Sequence, residues 1–495
     1  MSSNDRFRPQ VHFTPPSNWM NDPNGCLYHN GVYHLFYQYH PGSTQWGPMH
    51  WGHATSADLL HWQHHAVALQ PDAALGAAFS GSAIHDRDNL SGLFTDDQGL
   101  LAFYTTHLDR GPEQDPLQQQ CMAYSRDGGN SWQPIADNPV VANPGIKDFR
   151  DPKVFYHQPS QHWIMVVVAG QQVNFYRSRN LLQWEYCGEF GKYQGHDEVV
   201  WECPDLVEMT DDSGRSHWVL FISGVTPAEK PFPPMQYFIG HFDGLTFAET
   251  APGEMVNIVD FGADFYAAQS FHGTFDNDGR HIWIAWANYW PYANVTPADH
   301  WRGMMSLPRE LSLVTVNGLP RLQQRVVREF DARLSEPYRV QSPQAWAIQN
   351  PELAQSIEFK VTGAKHTDAT LRLNNAKGDE LCLSWSAQAQ TLTLDRTGIA
   401  SSDFHPIFNQ IKTVSLLHEL GDDSVLDLRI IVDRCSVEVF ALNGRVVLTS
   451  QLFPEQPFAL ASLECVGPVE VTQAYLPDQT EDCARSDEPV SLAAD

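Results

Sequence analysis

Apolar positions in this chain fall into two textures. From about residue 10 to about residue 325 they gather in short, nearly unbroken runs rich in β-branched and aromatic residues: VYHLFYQY (32 to 39), LLAFYTT (100 to 106), HWIMVVVAG (162 to 170), HWVLFISG (217 to 224) and HIWIAWANYW (281 to 290). Runs of this length and composition read as strands. After each of the first four comes a similar turn and strand: SADLLHW (56 to 62), SRDGGNSW (125 to 132), SRNLLQW (178 to 184) and, more weakly, HFDGLTF (241 to 247). Self-similar units of about 50 to 70 residues, all strand and turn, predict propeller blades rather than a helical array. Five units predict a five-bladed β-propeller, with a large β-sandwich carrying coincidental echoes as the alternative.

Beyond about residue 345 the pattern becomes strict alternation, as in Leu371-Arg372-Leu373, Thr391-Leu392-Thr393-Leu394 and Val437-Glu438-Val439, with an Asn443-Gly444 hairpin signal. Period-2 alternation predicts antiparallel strands with one face buried, here a β-sandwich. The expected organisation is therefore an all-β chain with a propeller over residues 1–325, a charged, partly helical linker over 326–345, a sandwich over 346–477 and an acidic tail over 478–495 that frays.

Composition narrows the partners. The 495 residues carry 31 Lys+Arg against 59 Asp+Glu, a net charge of −28, which argues against nucleic acid or an anionic membrane. A neutral or cationic small molecule remains. The segment MSSNDRFRPQVHFTPP lacks the apolar core of a secretory signal, so the chain as it stands reads as cytoplasmic. The cysteines, Cys26, Cys121, Cys187, Cys203, Cys382, Cys435, Cys465 and Cys483, show no C-x-x-C or zinc spacing and read as reduced, mostly buried thiols. Histidines crowd HWGHATSADLLHWQHH (50 to 65), but without H-E-x-x-H they read as turn and strand-end residues. No metal or cofactor is expected.

The chemistry sits just upstream of the apolar runs. WMNDPNG carries Asp22, FSGSA Ser80, FRDPK Asp151, WECPDL Glu202 and Asp205, and DFYAAQSF Asp264 and Tyr266. Asp22-Pro23-Asn24-Gly25 alone has the chemistry of a β-turn. In a propeller, however, the first strand of each blade lines the central channel, so these motifs converge on one end of it. A residue before proline is pushed to extended backbone, which predicts that Pro23 and Pro152 aim the carboxylates of Asp22 and Asp151. Trp19, Trp46, Trp51, Trp201 and Trp286 lie in or near the same segments. Aromatic faces beside carboxylates suit a sugar. Cleaving a glycosidic bond requires one ionised and one protonated carboxyl group. Glu202, between Trp201 and Cys203, reads as the acid, and Asp22, among polar turn groups, as the anion.

With WMNDPNG, YHLFYQYHP, WGPMHWGHATSADLLHW, FSGSA, FRDPK, WECPDL, DFYAAQSF, MMSLPREL and DRCSVEVF in order, nearly the whole chain resembles the invertase, levanase and exo-inulinase family of β-fructosidases. The resemblance implies a propeller joined to a C-terminal sandwich and a retaining double displacement at the fructose C2. It implies Asp22 as nucleophile, Glu202 as acid and base, and Asp151 as the stabiliser of the oxocarbenium-like transition state. Asn21, Gln38, Trp46, Phe79, Ser80, Arg150, Tyr266 and Trp286 match positions lining the fructose subsite, and Arg150 reads equally as an ion-pair partner that orients Asp151. Retention implies about 5 to 5.5 Å between the two reacting carboxyl groups.

The expected activity is exo-β-fructofuranosidase on sucrose and short fructo-oligosaccharides, with inulin and levan as secondary substrates. The rivals are a fructosyltransferase using the same residues, a propeller glycosidase acting on arabinose or xylose, and a non-catalytic sugar-binding propeller. The sandwich reads as a support for the propeller or a homodimer interface in preference to a carbohydrate-binding module, because no cluster of exposed aromatics shows in it.

Overall fold

The computed structural model describes residues 5–95, 98–192, 194–195, 199–225, 235–250, 256–417, 419–420, 425–467 and 469–478. The acidic tail from residue 479, with Cys483, lies outside the described residues. Five antiparallel sheets are led by inner strands Asn18–His29, Ala77–Asp86, Phe149–His157, Val200–Thr210 and Tyr266–Ser270. Each inner strand touches those of the neighbouring blades, and the fifth touches the first, closing the ring. Trp301–Arg302 from the fifth unit pairs in parallel with Asn18 and Trp19, which fastens that closure.

The five apolar runs are the second strands of the blades. They read as unbroken because blades stack face to face: in Val32–His40 and His162–Ala169 almost every residue is buried, whichever way it points. The repeated turn also has one geometry. Trp62, Trp132 and Trp184 each donate the indole N–H at 3.0 Å to the carbonyl three residues back.

Two six-stranded antiparallel sheets follow, one running Tyr338–Arg339, Val471–Tyr475, Gln355–Thr362, Val425–Asp433, Ser436–Ala441 and Val446–Gln451 in spatial order. Ala369–Asn374 and Glu380–Ser386 alternate strictly between buried and part-buried positions, as the sequence pattern requires of a face packed on one side only. In the segment read as a linker, Arg328–Arg333 is helical and Tyr338–Arg339 pairs with the last sandwich strand. The fold is thus a five-bladed propeller followed by a sandwich. The two halves share apolar core: Phe330, Ile431, Phe440 and Val447 pack with Val11, Phe13 and Leu35.

Between the halves lies a buried chain of charges. Arg309 donates to Glu438 at 2.7 Å and to Asp260 at 3.1 Å, while His12 bridges Glu438 at 3.1 Å and Asp433 at 2.9 Å. Burial pulls His12 down, but its bonds to Asp433 and Glu438 and their charges outweigh that and raise it to about 9.

The Asp22-Pro23-Asn24-Gly25 stretch is not a turn. It lies inside the strand Asn18–His29, which pairs with Val32–His40 on both sides of it. Cross-strand pairing overrides the local turn propensity, and the stretch is absorbed as two bulges. Gly25 sits in the second at φ 52°, where a Cβ would fall 2.7 Å from Phe36 and 2.9 Å from Trp51.

Candidate active site

Every inner strand breaks register near its start, and at each break two residues face one on the partner strand. Asn21 and Asp22 face Gln38, Phe79 and Ser80 face Thr105, Asp151 and Pro152 face Val167, Cys203 and Pro204 face Ile222, and Ala267 and Ala268 face Ala285. Bulges bend the strand and re-aim its side chains. Five of them at the same place in five blades turn a ring of strands into a ring of functional groups. Asp151, Cys203 and Ala267 have left-handed backbone, at φ 65°, 47° and 55°. Holding a residue with a side chain there costs roughly 1 to 3 kcal/mol. Asp151 is therefore not extended, as its position before proline predicts. The bulge decides its backbone, with its N–H donated to Thr105 Oγ1 at 2.8 Å.

The acids meet around one guanidinium and one thiol. Arg150 Nη2 donates to Glu202 Oε1 at 2.8 Å, Nη1 donates to Asp148 at 2.7 Å, and Nε lies 3.9 Å from Asp151 Oδ2. Arg150 thus grips Glu202 more closely than Asp151. Tyr266 donates its phenol to the other oxygen of Glu202, so both carboxylate oxygens are held. Ser80 Oγ donates to Asp22 Oδ2 at 2.8 Å. Asp22 Oδ1 is buried without a hydrogen-bond partner. Cys203 Sγ lies 3.6 Å from Asp22 Oδ2 and 3.6 Å from Asp151 Oδ2, and the Cys203 N–H donates to Asp151 at 2.9 Å.

This crowding shifts the titrations. Burial, then the charge of Glu202, raises the Asp22 carboxyl above its ordinary value, against hydrogen bonding from Asn21, Ser80 and Cys203. Burial pushes Asp151 up to about 7, with Arg150 opposing and Glu202 adding to the rise. Burial also lifts the Cys203 thiol and the Tyr266 phenol well above their usual values, so both remain protonated donors. The surroundings expected for Asp22, polar groups of a turn, are corrected: it stands buried inside a strand. Asp151 keeps its proton to near neutrality, and Asp22 is pushed in the same direction.

Aromatic groups form the wall. Tyr266 meets Trp286 edge-on at 6.2 Å, Trp286 lies 6.1 Å from Trp19 and 4.9 Å from Trp290, and Trp19 and Trp290 stack at 6.2 Å. Asn21 accepts the Trp19 indole N–H at 2.7 Å, and Gln38 donates to the Ala78 carbonyl at 3.0 Å, beside Phe79. Phe79 stacks on His107 and meets Trp46 edge-on; Trp46, 45% exposed, forms the rim, its backbone N–H donated to Asn294 Oδ1. The three acids and the eight residues matched to the fructose subsite therefore belong to one neighbourhood. Trp51 and Trp201 do not: Trp51 packs on Phe36 and Tyr104, and Trp201 on Phe238, in the blade core. Asp205 pairs with Lys153 at 3.1 Å. Trp290, Thr105 and the thiol of Cys203, which the sequence presented only among the reduced, mostly buried thiols, were missed. The recurring place of each motif before its apolar run is the signal that could have found Cys203.

The signature of the glycosyl hydrolases family 32 N-terminal domain matches residues 12–325, and that of the family's C-terminal domain matches residues 323–471. The chain belongs to glycosyl hydrolases family 32. It is a glycoside hydrolase of the β-fructofuranosidase type. It is 41% identical over 464 residues to a levanase of Bacillus subtilis, covering 91% of this chain and 67% of that one. It is 37% identical over 522 residues to an extracellular exo-inulinase of Aspergillus awamori, covering 93% and 92%. The crystal structure of the exo-inulinase from Aspergillus awamori superposes with a TM-score of 0.86 at 33% identity, covering 95% of this chain and 98% of that one. A fructofuranosidase of Schwanniomyces occidentalis complexed with fructose superposes at 0.84 with 30% identity, covering 97% and 100%.

Proposed function

We propose that this family 32 enzyme is a retaining exo-β-fructofuranosidase that releases the terminal non-reducing β-D-fructofuranosyl residue of sucrose and short fructo-oligosaccharides. The observation that carries the reading is the asymmetry of Asp22: Oδ2 is anchored by Ser80 while Oδ1 is buried and unpaired. Oδ1, away from the Ser80 and Cys203 donors on Oδ2, is the oxygen placed to attack. In the first step Asp22 Oδ1 bonds to fructose C2 as the C2–O bond to the leaving group breaks, and Glu202 gives its proton to the departing oxygen. In the second, Glu202 takes a proton from water, the water oxygen bonds to C2, and Asp22 is released. Asp151, turned inward by its bulge, accepts hydrogen bonds from fructose hydroxyls and faces the positive charge that develops at C2. Arg150 and Tyr266 fix the direction of Glu202. Asn21, Gln38, Trp46, Phe79 and Trp286 shape the pocket.

Initial rates on sucrose, 1-kestose, inulin and levan, with Asp22→Ala alongside, test the activity. Fructose from the first two, lost in the variant, is the expected result; equal rates from the variant would remove the assignment. Reaction in aqueous methanol tests the stereochemistry, since retention gives methyl β-D-fructofuranoside and inversion the α-anomer. A second reading, exo-hydrolysis of fructan polymers, is favoured by the identity to proteins named levanase and exo-inulinase. Faster release from levan or inulin than from sucrose would select it.

A further inference from the structure

The fifth-blade wall of the pocket is built against the sandwich. The loop 396–411, between the sandwich strands Thr391–Asp395 and Lys412–Ser415, packs Phe408, with Phe404 and Ile407, on Tyr292 of the short helix Trp290–Ala293, together with Phe453. At its base Arg396 is buried with a side chain only 2% exposed. Its Nη1 donates to Asp264 Oδ2 at 2.8 Å and its Nη2 to the Tyr292 hydroxyl at 3.3 Å, and the guanidinium lies 3.6 Å over the Phe408 ring. Tyr292 donates to the other oxygen of Asp264, and the Gln451 N–H donates to Oδ2 at 2.8 Å.

Asp264 leads into the inner strand that begins at Tyr266, the donor to Glu202, and Tyr292 shares its helix with Trp290, which packs on Trp19, Trp286 and Tyr266. The approach to Tyr266 is stitched to the sandwich strand Val446–Gln451 as well. Phe261 N–H donates to Val447, Asp264 N–H to Thr449, and Asp260 accepts from Thr449 at 2.8 and 2.6 Å. A Cβ on Gly262 would fall 1.9 Å from the Thr449 carbonyl, so this approach requires glycine.

We propose that Arg396, in the sandwich, is a positioning residue for catalysis in the propeller, acting through Asp264 and Tyr292 to hold Tyr266 on Glu202 and Trp290 in the aromatic wall. One buried cation ties two separate segments of the fifth blade, the strand that carries the Glu202 donor and the helix that carries an aromatic wall. Arg309 also holds the approach to Tyr266, through Asp260 and over the Phe265 ring, but it is Arg396 that bonds both Asp264 and Tyr292 and so joins the two segments. The sandwich is then part of the catalytic scaffold and not a module added for binding carbohydrate. The inference rests on the acid pocket being the active site.

The test compares Arg396→Lys, Arg396→Met and Tyr292→Phe with wild type on sucrose, well below each melting temperature, measuring kcat and KM separately along with fructose binding by tryptophan fluorescence. Tyr292→Phe keeps the Arg396–Asp264 ion pair and removes only the hydroxyl, so it carries the test if Arg396→Met does not fold. The expected result is a tenfold or greater loss of kcat/KM in folded Tyr292→Phe, weaker fructose binding, and partial recovery in Arg396→Lys relative to Arg396→Met. Lowered melting temperatures with wild-type kcat, KM and fructose affinity would overturn the proposal and leave a purely structural clasp. Wild-type protein without fructosidase activity would instead overturn the pocket assignment on which it rests.

Discussion

Ser80 and Asp22 come from different blades, yet the serine hydroxyl donates to Asp22 Oδ2 at 2.8 Å, with Cys203 Sγ 3.6 Å from the same oxygen, so that among the described residues Oδ1 is the buried oxygen left unpaired. The serine bond also works against the burial that raises the Asp22 carboxyl. Replacing Ser80 with Ala removes a hydrogen bond to a group that must be charged to attack, worth about 1.5 kcal/mol, or roughly tenfold in kcat/KM. Because the lost bond favoured the ionised form, the Asp22 carboxyl rises further, and the acid limb of the kcat/KM profile moves to higher pH. A pH–rate profile of Ser80→Ala with an unmoved acid limb would contradict this.

Arg150 grips Glu202 and Asp148 with separate nitrogens. A lysine offers one charge and no fork, so Arg150→Lys is expected to lower kcat by about 100-fold while the protein stays folded. Steady-state kinetics with circular dichroism decides the point. Near-normal kcat would mean that the guanidinium serves only as a counter-charge.

Asp151 links stability and activity with opposite signs. Its folded value of about 7 lies above the ordinary 3.8, so the folded state holds a proton that the unfolded chain has released, and stability falls as pH rises across that interval. Asp151→Asn keeps the shape and discards the buried charge. It is expected to raise the melting temperature by a few degrees at about pH 8, to change little at about pH 4, and to lower kcat at least about 100-fold. Melting curves at the two pH values check the sign.

His12 behaves in the opposite way. A folded value of about 9 against 6.5 means that its stabilisation is fully present below about 6.5 and is lost as pH climbs through about 9. Asp433 and Glu438, each held at about 2 chiefly against burial by its cationic partners, lose theirs only in strong acid. His12→Gln leaves both carboxylates short of a partner and is expected to cost about 3 kcal/mol at about pH 6, a gap that narrows by about pH 9.5. A constant gap across that range would show that the imidazole is not protonated in the fold.

Much of this protein was legible in the chain because its repeats are local. A strand buried on both faces writes an unbroken apolar run, a strand buried on one face writes an alternation, and both textures follow from side-chain period alone. The motifs before each run carried the site for the same reason: equal places in successive blades must converge once the ring closes. That logic found Asp22, Asp151, Glu202 and Tyr266 without any distance.

Other features belong to the tertiary structure. Asp22-Pro23-Asn24-Gly25 has turn chemistry, but a strand paired on both sides of it overrides a local preference worth about 1 kcal/mol, and the result is a pair of bulges. Asp151 takes a left-handed backbone because its neighbours fix its N–H on Thr105, which the proline rule cannot register. Trp51 and Trp201 stand in the motifs but point into the core: Trp51 lies in a regularly paired third strand opposite Gln38, and Trp201 alternates with Glu202 along its strand, so which face each presents depends on what is packed across it. Arg396 and Asp264 are 132 positions apart, and nothing in either segment announces the other. Sequence by itself determined the strands, the blades and the chemistry brought to the channel mouth, since these depend on period and repetition. Bulge geometry, the raised titrations of Asp22 and Asp151, and the clasp between the two halves were decided only in three dimensions, because each depends on what stands across a strand or a domain boundary.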